Sequence, residues 1–178
     1  EEQDALEASS NVSLVYKPIE NFTNKFTVAN TYIKRIYNAA PGSTNTSKDN
    51  YYGDRYAFMY SGNYDFNLDT SVVFGSEREE DEMGLNENTK GRVDHNSLVT
   101  SNYYDFQKRF PNDIYLTFGS RFDEHERAGN EDSHRFTAAQ LFNNKTTKLK
   151  FSYGTGFRFP SLYEEFYVYA ANTDSLPF

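Results

Sequence analysis

Strict alternation of side-chain character over residues 148–159 is the feature that most limits what this chain can fold into. One set of alternate positions is apolar apart from a threonine: Leu149, Phe151, Tyr153, Thr155, Phe157 and Phe159. The intervening set is polar or glycine: Lys148, Lys150, Ser152, Gly154, Gly156 and Arg158. Successive side chains of a strand point to opposite faces, whereas a helix would scatter these rings around its circumference. The segment is therefore predicted to be a strand with one apolar and one polar face.

The same period of two recurs in several other parts of the chain. Alternation is clear in four segments: 11–16, 52–61, 66–75 and 114–123. Three further segments alternate less strictly but are rich in the Thr, Tyr, Val and Phe residues that favour strands: 26–37, 93–106 and 135–142. Together with 148–159 they predict about eight strands, several of them longer than the usual length of about 5–6 residues.

The connections between these segments differ in length. Four are expected to be short turns: 18–24, 62–65, 108–113 and 143–146. Three are expected to be longer polar loops: 39–49, 79–91 and 126–133. Outer-membrane barrels have short periplasmic turns and longer extracellular loops, so the long set is predicted to lie outside the cell. The acidic runs Glu77–Glu82 and Asp123–Glu126 are accordingly interpreted as solvated loop or rim residues, in preference to calcium sites.

The composition supports a strand-built membrane protein. Fifteen Tyr and sixteen Phe make the chain 17% aromatic, yet its mean hydropathy is only -0.81. In a transmembrane barrel only every second strand residue has to be apolar. The absence of any apolar run of about 18 residues excludes a transmembrane helix. The sequence thus predicts an all-β fold, an antiparallel transmembrane β-barrel segment of about eight strands.

The residues that often carry chemistry form no recognisable site. The chain has no Cys, and its three histidines (His95, His125 and His134) lack metal-ligand spacing. Asp94 and His95 could be half of a catalytic dyad, but the serine nucleophile on a sharp turn is missing, because no G-x-S-x-G motif occurs. We therefore expect no catalytic residue, no metal and no cofactor, and a net charge of -8 argues against nucleic-acid binding.

Charged residues on the polar faces of the predicted strands are expected to line a barrel lumen. They carry both signs: Arg55, Arg121, Asp123, Lys148, Lys150 and Arg158. Such charges usually form a ladder of pairs or contact whatever fills the barrel, and pore lining is the other reading.

The stretch from Ser152 to Phe166, S-Y-G-T-G-F-R-F-P-S-L-Y-E-E-F, resembles a segment of TonB-dependent outer-membrane receptors. In that family, a strand of the form S-x-G-x-G-[FY]-[KR]-x-P-x-L-x-E-L-[FY] runs out to the cell surface. Six positions carry the likeness: Gly154, Gly156, Phe157, Arg158, Pro160 and Leu162. Phe159 stands where a small residue is usual, and Glu165 where Leu is common. Residues 114–124 also resemble the family's G-x-R-x-D strand.

The resemblance implies energised import of a scarce nutrient, such as cobalamin or an iron-siderophore, across the bacterial outer membrane. Such receptors have 22-stranded barrels with a plugged lumen. Their partners are outer-membrane lipid, the nutrient ligand and an inner-membrane TonB energy complex that acts through a plug and TonB box. Neither the plug nor the box is recognisable here, and residues 171–178 lack the final alternating strand of a barrel. Residues 1–178 are therefore expected to be one partial barrel domain. Three tyrosines after the motif are the expected ligand contacts: Tyr163, Tyr167 and Tyr169.

Two other folds remain open at this point. A complete eight-stranded barrel with a structural or adhesive role predicts that the last strand pairs with the first, joining 148–159 to 11–16. A soluble, secreted β-sandwich that binds carbohydrate through its tyrosines predicts an apolar face packed inside the protein.

Overall fold

The computed structural model describes residues 2–38, 48–87 and 91–166, whose strands form a single antiparallel sheet. The strands are β1 (Glu2–Ile19), β2 (Phe22–Asn38), β3 (Lys48–Asn67), β4 (Thr70–Glu87), β5 (Gly91–Phe110), β6 (Ile114–His125), β7 (Gly129–Phe142) and β8 (Thr147–Gly154). A 3-10 turn (Pro111–Asp113) joins β5 to β6, and a short helix, α1 (Leu162–Phe166), follows β8. No helix in the described ranges has the length and apolar character needed to cross a membrane.

Every strand pairs with its neighbours in the sequence, in the order β1 to β8. This meander confirms the predicted all-β, antiparallel architecture of eight strands. Within the described residues β1 pairs only with β2, and β8 only with β7. The pairing between β8 and β1 that a closed eight-stranded barrel requires is therefore not found in this part of the chain.

The register gives the sheet two faces of different character. One cross-strand row carries only apolar or aromatic residues: Phe22, Tyr64, Val72, Phe106, Phe118, Phe136 and Tyr153. We call the side to which this row belongs the apolar face. A row on the opposite side, the polar face, contains Ser13, Thr27, Met59, Glu77, Ser101, Asp123 and Glu131.

Burial in this sheet is the reverse of burial in a soluble domain. Among the described residues, the buried apolar side chains are Ala57 and Leu162, whereas the buried polar ones are Asn24, Ser97, Ser101, Ser120, Asp123 and His125. Large apolar side chains such as Val12, which is 77% exposed, stand on the open apolar face. No second sheet covers that face in the described ranges, so the β-sandwich alternative is not supported.

The two edges of the sheet also differ. The turn edge carries the short connections at 20–21, 68–69, 111–113 and 143–146, and the loop edge is the opposite one. On β4, the apolar face carries Val72 and Phe74 toward the turn edge but Arg78, Glu80 and Glu82 toward the loop edge. An apolar band therefore adjoins the turn edge, and a polar collar extends beyond it toward the loops.

Several predicted boundaries were wrong, including those of the turns at 18–24 and 108–113, which are shortened to 20–21 and 111–113. The turn expected at 62–65 lies at Leu68-Asp69, where the backbone N–H of Asp69 donates to Asn67 Oδ1 at 2.9 Å. The acidic run Glu77–Glu82 lies within β4, because its ladders with β3 and β5 continue to the loop edge. The loop expected at 126–133 is a turn of 126–128, since β7 begins at Gly129. Residues 39–47 and 88–90 of the other two predicted loops lie outside the described residues.

The regular strand predicted at 148–159 ends at Gly154. Beyond it the chain turns across the polar face, so that the Phe159 ring lies 5.0 Å from the ring of buried His125. Phe159 therefore does not share the apolar face with Phe151, as the alternation predicted. Pro160, which cannot donate to a ladder, comes directly after it.

Candidate functional site

An ion-paired cluster that we call the inner network occupies the middle of the polar face. The register places Glu77, Ser101 and Asp123 side by side on β4, β5 and β6. Arg121 lies two residues before Asp123, and period two therefore puts it on the same face. Its guanidinium donates to Glu77 Oε2 at 3.0 Å, Ser101 Oγ at 2.8 Å and Asp123 Oδ1 at 2.8 Å.

The inner network is largely removed from water. Ser101 is 1% exposed and Asp123 is 5% exposed, and the Ser101 hydroxyl donates to Asp123 Oδ1 at 2.5 Å. The other carboxylate oxygen, Asp123 Oδ2, is buried without a hydrogen-bond partner in the described part of the chain. A buried carboxylate needs an opposite charge, so Arg121 is the residue that makes this burial tolerable.

Two further ion pairs continue the charged ladder along the polar face. Arg55 holds Asp81 with two hydrogen bonds, at 2.6 and 2.7 Å, and lies 3.5 Å from Glu79. Arg135 donates to Asp105 at 2.8 Å. The predicted ladder of luminal pairs is therefore present for Arg55, Arg121 and Asp123. Arg158, predicted to belong to it, instead lies beyond β8.

The chain after β8, residues 155–166, forms a strap that we call the exit segment. Its first residue continues the pairing with β7: Thr155 N–H donates to the His134 carbonyl, and His134 N–H donates to Thr155 Oγ1, both at 2.9 Å. Its last residues form α1, which packs against β4 and β5. The exit segment thus spans the polar face near the loop edge.

A capping box begins α1. Ser161 Oγ accepts from the Glu164 backbone N–H at 3.3 Å, and Glu164 Oε2 accepts from the Ser161 N–H at 2.8 Å. Arg158 also donates to Glu164 Oε1 at 2.6 Å. The Arg158 hydrogen bond, followed by those from Ser161, lowers the pKa of Glu164 to about 2 from its usual 4.5. This lowered pKa favours the folded cap above pH 4.5, and the contribution is lost as the pH falls through about 2.

Glu165 contacts Arg127 and His125 at the turn between β6 and β7. Arg127 donates to Glu165 Oε2 through Nε at 3.1 Å and Nη2 at 2.8 Å. The backbone N–H groups of Arg127 and Ala128 donate to His125 Nδ1 at 3.1 and 3.0 Å. His125 Nδ1 therefore acts as an acceptor, and Nε2 of the same ring lies 3.4 Å from Glu165 Oε1. His125 and Asp123 are buried, so the solvated rim predicted for 123–126 was wrong at these two positions.

Three polar side chains, Ser120, His134 and Asp132, contact one another in that order on the apolar face. Ser120 Oγ is 2.9 Å from His134 Nδ1, and His134 Nε2 is 2.8 Å from Asp132 Oδ2. Ser120 is only 4% exposed, so its hydroxyl orients the imidazole and does not present a nucleophile to solvent. These contacts fix the orientation of the His134 ring at the border of the apolar band that faces the loop edge. They do not suit acyl transfer, which needs an accessible nucleophile.

The sheet geometry has a counterpart among solved structures. The chain shares its fold with part of the RagAB peptide transporter. The match has a TM-score of 0.63 and 17% identity over 85% of this chain. The RagAB peptide importer matches in its "closed-closed" and "open-open" states, each with a TM-score of 0.61 and 16% identity. The chain spans 22% of the length of each of these chains, and at such identities the likeness is one of fold. No protein-family model and no curated protein matches the sequence.

One of the three predicted ligand-contact tyrosines lies in the described part of the chain, and the motif residues lie in or next to the exit segment. Tyr163 lies on α1 and is 49% exposed, whereas Tyr167 and Tyr169 lie outside the described residues. The motif positions lie in or beside the exit segment: Gly154 ends β8, Gly156, Phe157 and Pro160 are exposed, Arg158 pairs with Glu164, and Leu162 is buried. The sequence did not point to Glu165, Arg127 and His95 as neighbours, because 32 to 70 residues separate them along the chain.

Proposed function

We propose that this chain is part of the wall of a bacterial outer-membrane β-barrel that imports a scarce nutrient. The observation that carries the proposal is a single-layered sheet with an open apolar face on one side and a paired ionic ladder on the other. Exposed apolar surface costs about 25 cal/mol per Å² in water, and lipid removes that cost. The apolar band and polar collar match a membrane-spanning zone with strands that extend beyond it.

We further propose that this import depends on TonB. It is supported by the likeness of residues 152–166 to the receptor motif and by the lumen-type charges of the polar face. In the whole protein, a plug would fill the barrel and an inner-membrane TonB complex would energise its movement. Residues 1–178 would contribute one partial barrel domain to transport, with no catalytic role. The substrate classes to test are cobalamin and iron-siderophores, from the motif, and peptides, which the structural neighbours are described as transporting.

We expect the full-length protein to leave the membrane only with detergent and to carry out TonB-dependent uptake. Cells that lack the gene should lose uptake of one of three labelled substrates: cobalamin, a ferric siderophore or an oligopeptide. Deletion of TonB in cells that keep the gene should abolish the same uptake. Extraction by salt alone would contradict the membrane location, and unchanged uptake of all three substrates would contradict import.

The orientation of the sheet has its own test. An epitope inserted between Asn88 and Thr89, in the segment that connects β4 to β5, should bind antibody on intact cells. The same epitope between Asn144 and Lys145, on the turn edge, should bind only after the outer membrane is opened. The reverse pattern would place the loop edge in the periplasm.

Tyr163 is the predicted ligand contact that the structure describes, and its side chain on α1 is 49% exposed. Replacing Tyr163 with alanine should weaken substrate binding roughly tenfold, the loss of one stacking contact in a binding site. The matched control is Tyr153→Ala, because Tyr153 is also exposed but lies on the apolar face. Equal affinities of the wild-type protein and both variants, measured by binding to cells, would reject a role for Tyr163.

A further inference from the structure

We propose that Arg127 and Glu165 form a reversible clasp that holds the exit segment against the polar face, so that this strap opens and closes as a unit. The inference rests on the proposed function only for the meaning of the opening, which would lie at the extracellular mouth of the barrel. The clasp itself follows from contacts at the two ends of residues 155–166.

The first end of the strap is fixed. One backbone hydrogen bond, from the Thr155 N–H to the His134 carbonyl, attaches the strap to β7 directly after the last paired residue, Gly154, and the His134 N–H donates to the Thr155 hydroxyl. From there the chain leaves the sheet, and residues 156–158 and 160–161 are exposed. The first end therefore behaves as a hinge that the sheet supports. Beyond it, the strap is held by the contact of the Phe159 ring with His125 and by the contacts of its other end.

The second end is held mainly by polar and stacking contacts. Arg127 grips Glu165 with two hydrogen bonds and also donates to the Asn96 carbonyl at 2.7 Å. The Phe166 ring stacks on His95 at 3.7 Å with an interplanar angle of 6°, and the Arg127 guanidinium lies 5.1 Å from the same ring. One arginine thus joins the β6–β7 turn, β5 and the strap.

The balance of these contacts makes the clasp releasable. Leu162 is the strap's one buried apolar side chain, at 8% exposure. A segment with so little apolar burial opens at a lower free energy than the strands beneath it. The capping box and the Arg158–Glu164 pair lie within the strap, so α1 keeps its internal contacts when the clasp opens.

The state of the clasp can be read from the reactivity of a single thiol. Residues 1–178 contain no cysteine, so Leu162→Cys adds the single thiol of this part of the chain at a position that is buried when the strap is closed; any cysteine elsewhere in the full-length protein would first be replaced with serine. Intact cells that make the full-length protein would be treated with a membrane-impermeant maleimide. The matched control is Tyr163→Cys, whose neighbouring position is already exposed.

Leu162→Cys should react slowly with Arg127 present and roughly tenfold faster with Arg127→Ala, as expected for the loss of a charge-assisted hydrogen bond. The reciprocal swap of Arg127→Glu with Glu165→Arg should restore much of the protection that either single reversal removes. Tyr163→Cys should react equally fast in every background, which shows that each variant reaches the cell surface in equal amount, and retained resistance of the barrel to protease shows that each is folded. Equal rates for Leu162→Cys with and without Arg127, or fast labelling in both, would overturn the clasp. Because this readout requires no transport, it separates failure of the clasp from failure of the proposed import.

Discussion

Replacement of Arg121 with alanine is expected to lower the free energy of unfolding by about 2 kcal/mol. Asp123 is buried, and without Arg121 its carboxylate keeps only the Ser101 hydroxyl among the partners that the described residues supply. Breaking a fully buried pair costs about 3–5 kcal/mol, and the lower value reflects the 39% exposure of the Arg121 side chain. The measurement is urea unfolding of the full-length protein in detergent micelles.

The control for Arg121→Ala is Arg135→Ala on the same face. Arg135 pairs with Asp105, but its side chain is 58% exposed, so its loss should cost less than about 1 kcal/mol. Adding Asp123→Asn to Arg121→Ala should recover part of the lost stability, because an amide is cheaper to bury than an unpaired carboxylate. Equal midpoints for Arg121→Ala and Arg135→Ala would show that the inner network contributes nothing beyond an ordinary surface pair.

Replacement of Gly75 with alanine is expected to destabilise the sheet by about 2 kcal/mol. A Cβ at Gly75 would collide with the backbone carbonyl oxygen of Tyr60 and lie 2.5 Å from the Tyr103 hydroxyl. Tyr103 lies directly opposite Gly75 in the register, so its ring occupies the space that a methyl group needs. Overpacking of this kind typically costs 1–3 kcal/mol.

The sign of the Gly75→Ala effect is the decisive observation. Where no clash occurs, Gly to Ala stabilises a protein by about 0.4–1 kcal/mol through the unfolded chain. Gly156→Ala is the matched control, because a Cβ there meets nothing within 4 Å. The same urea titration should show a loss of stability for Gly75→Ala and little change for Gly156→Ala. A gain for Gly75→Ala would mean that Tyr103 does not lie over this glycine.

Alternation predicted the strands and their faces well because it reflects the local geometry of the chain. The strand predicted at 114–123 occupies 114–125, and the turn predicted at 143–146 lies between β7 and β8 as expected. Each strand places alternate residues on opposite sides whatever its neighbours are. Apolar residues at every second position therefore give the sheet one apolar and one polar face.

Local signals failed where a distant strand decided the outcome. Gly62 and Asn63 favour a turn, yet the chain remains extended there because Phe74, directly opposite in β4, packs its ring over Gly62. The acidic run of β4 resembled a loop because its carboxylates are crowded. Pairing of Glu77 with Arg121 and of Asp81 with Arg55 makes those charges compatible with a strand.

The sequence by itself therefore determined which segments form strands, the two-faced character of the sheet and the apolar side of β8. Only the tertiary structure decided which charges pair, where β8 ends and how Glu165 meets Arg127. The physical reason is one of range. Side-chain alternation is a property of successive residues, whereas register and return contacts depend on groups that are dozens of residues apart and meet only when the sheet has formed.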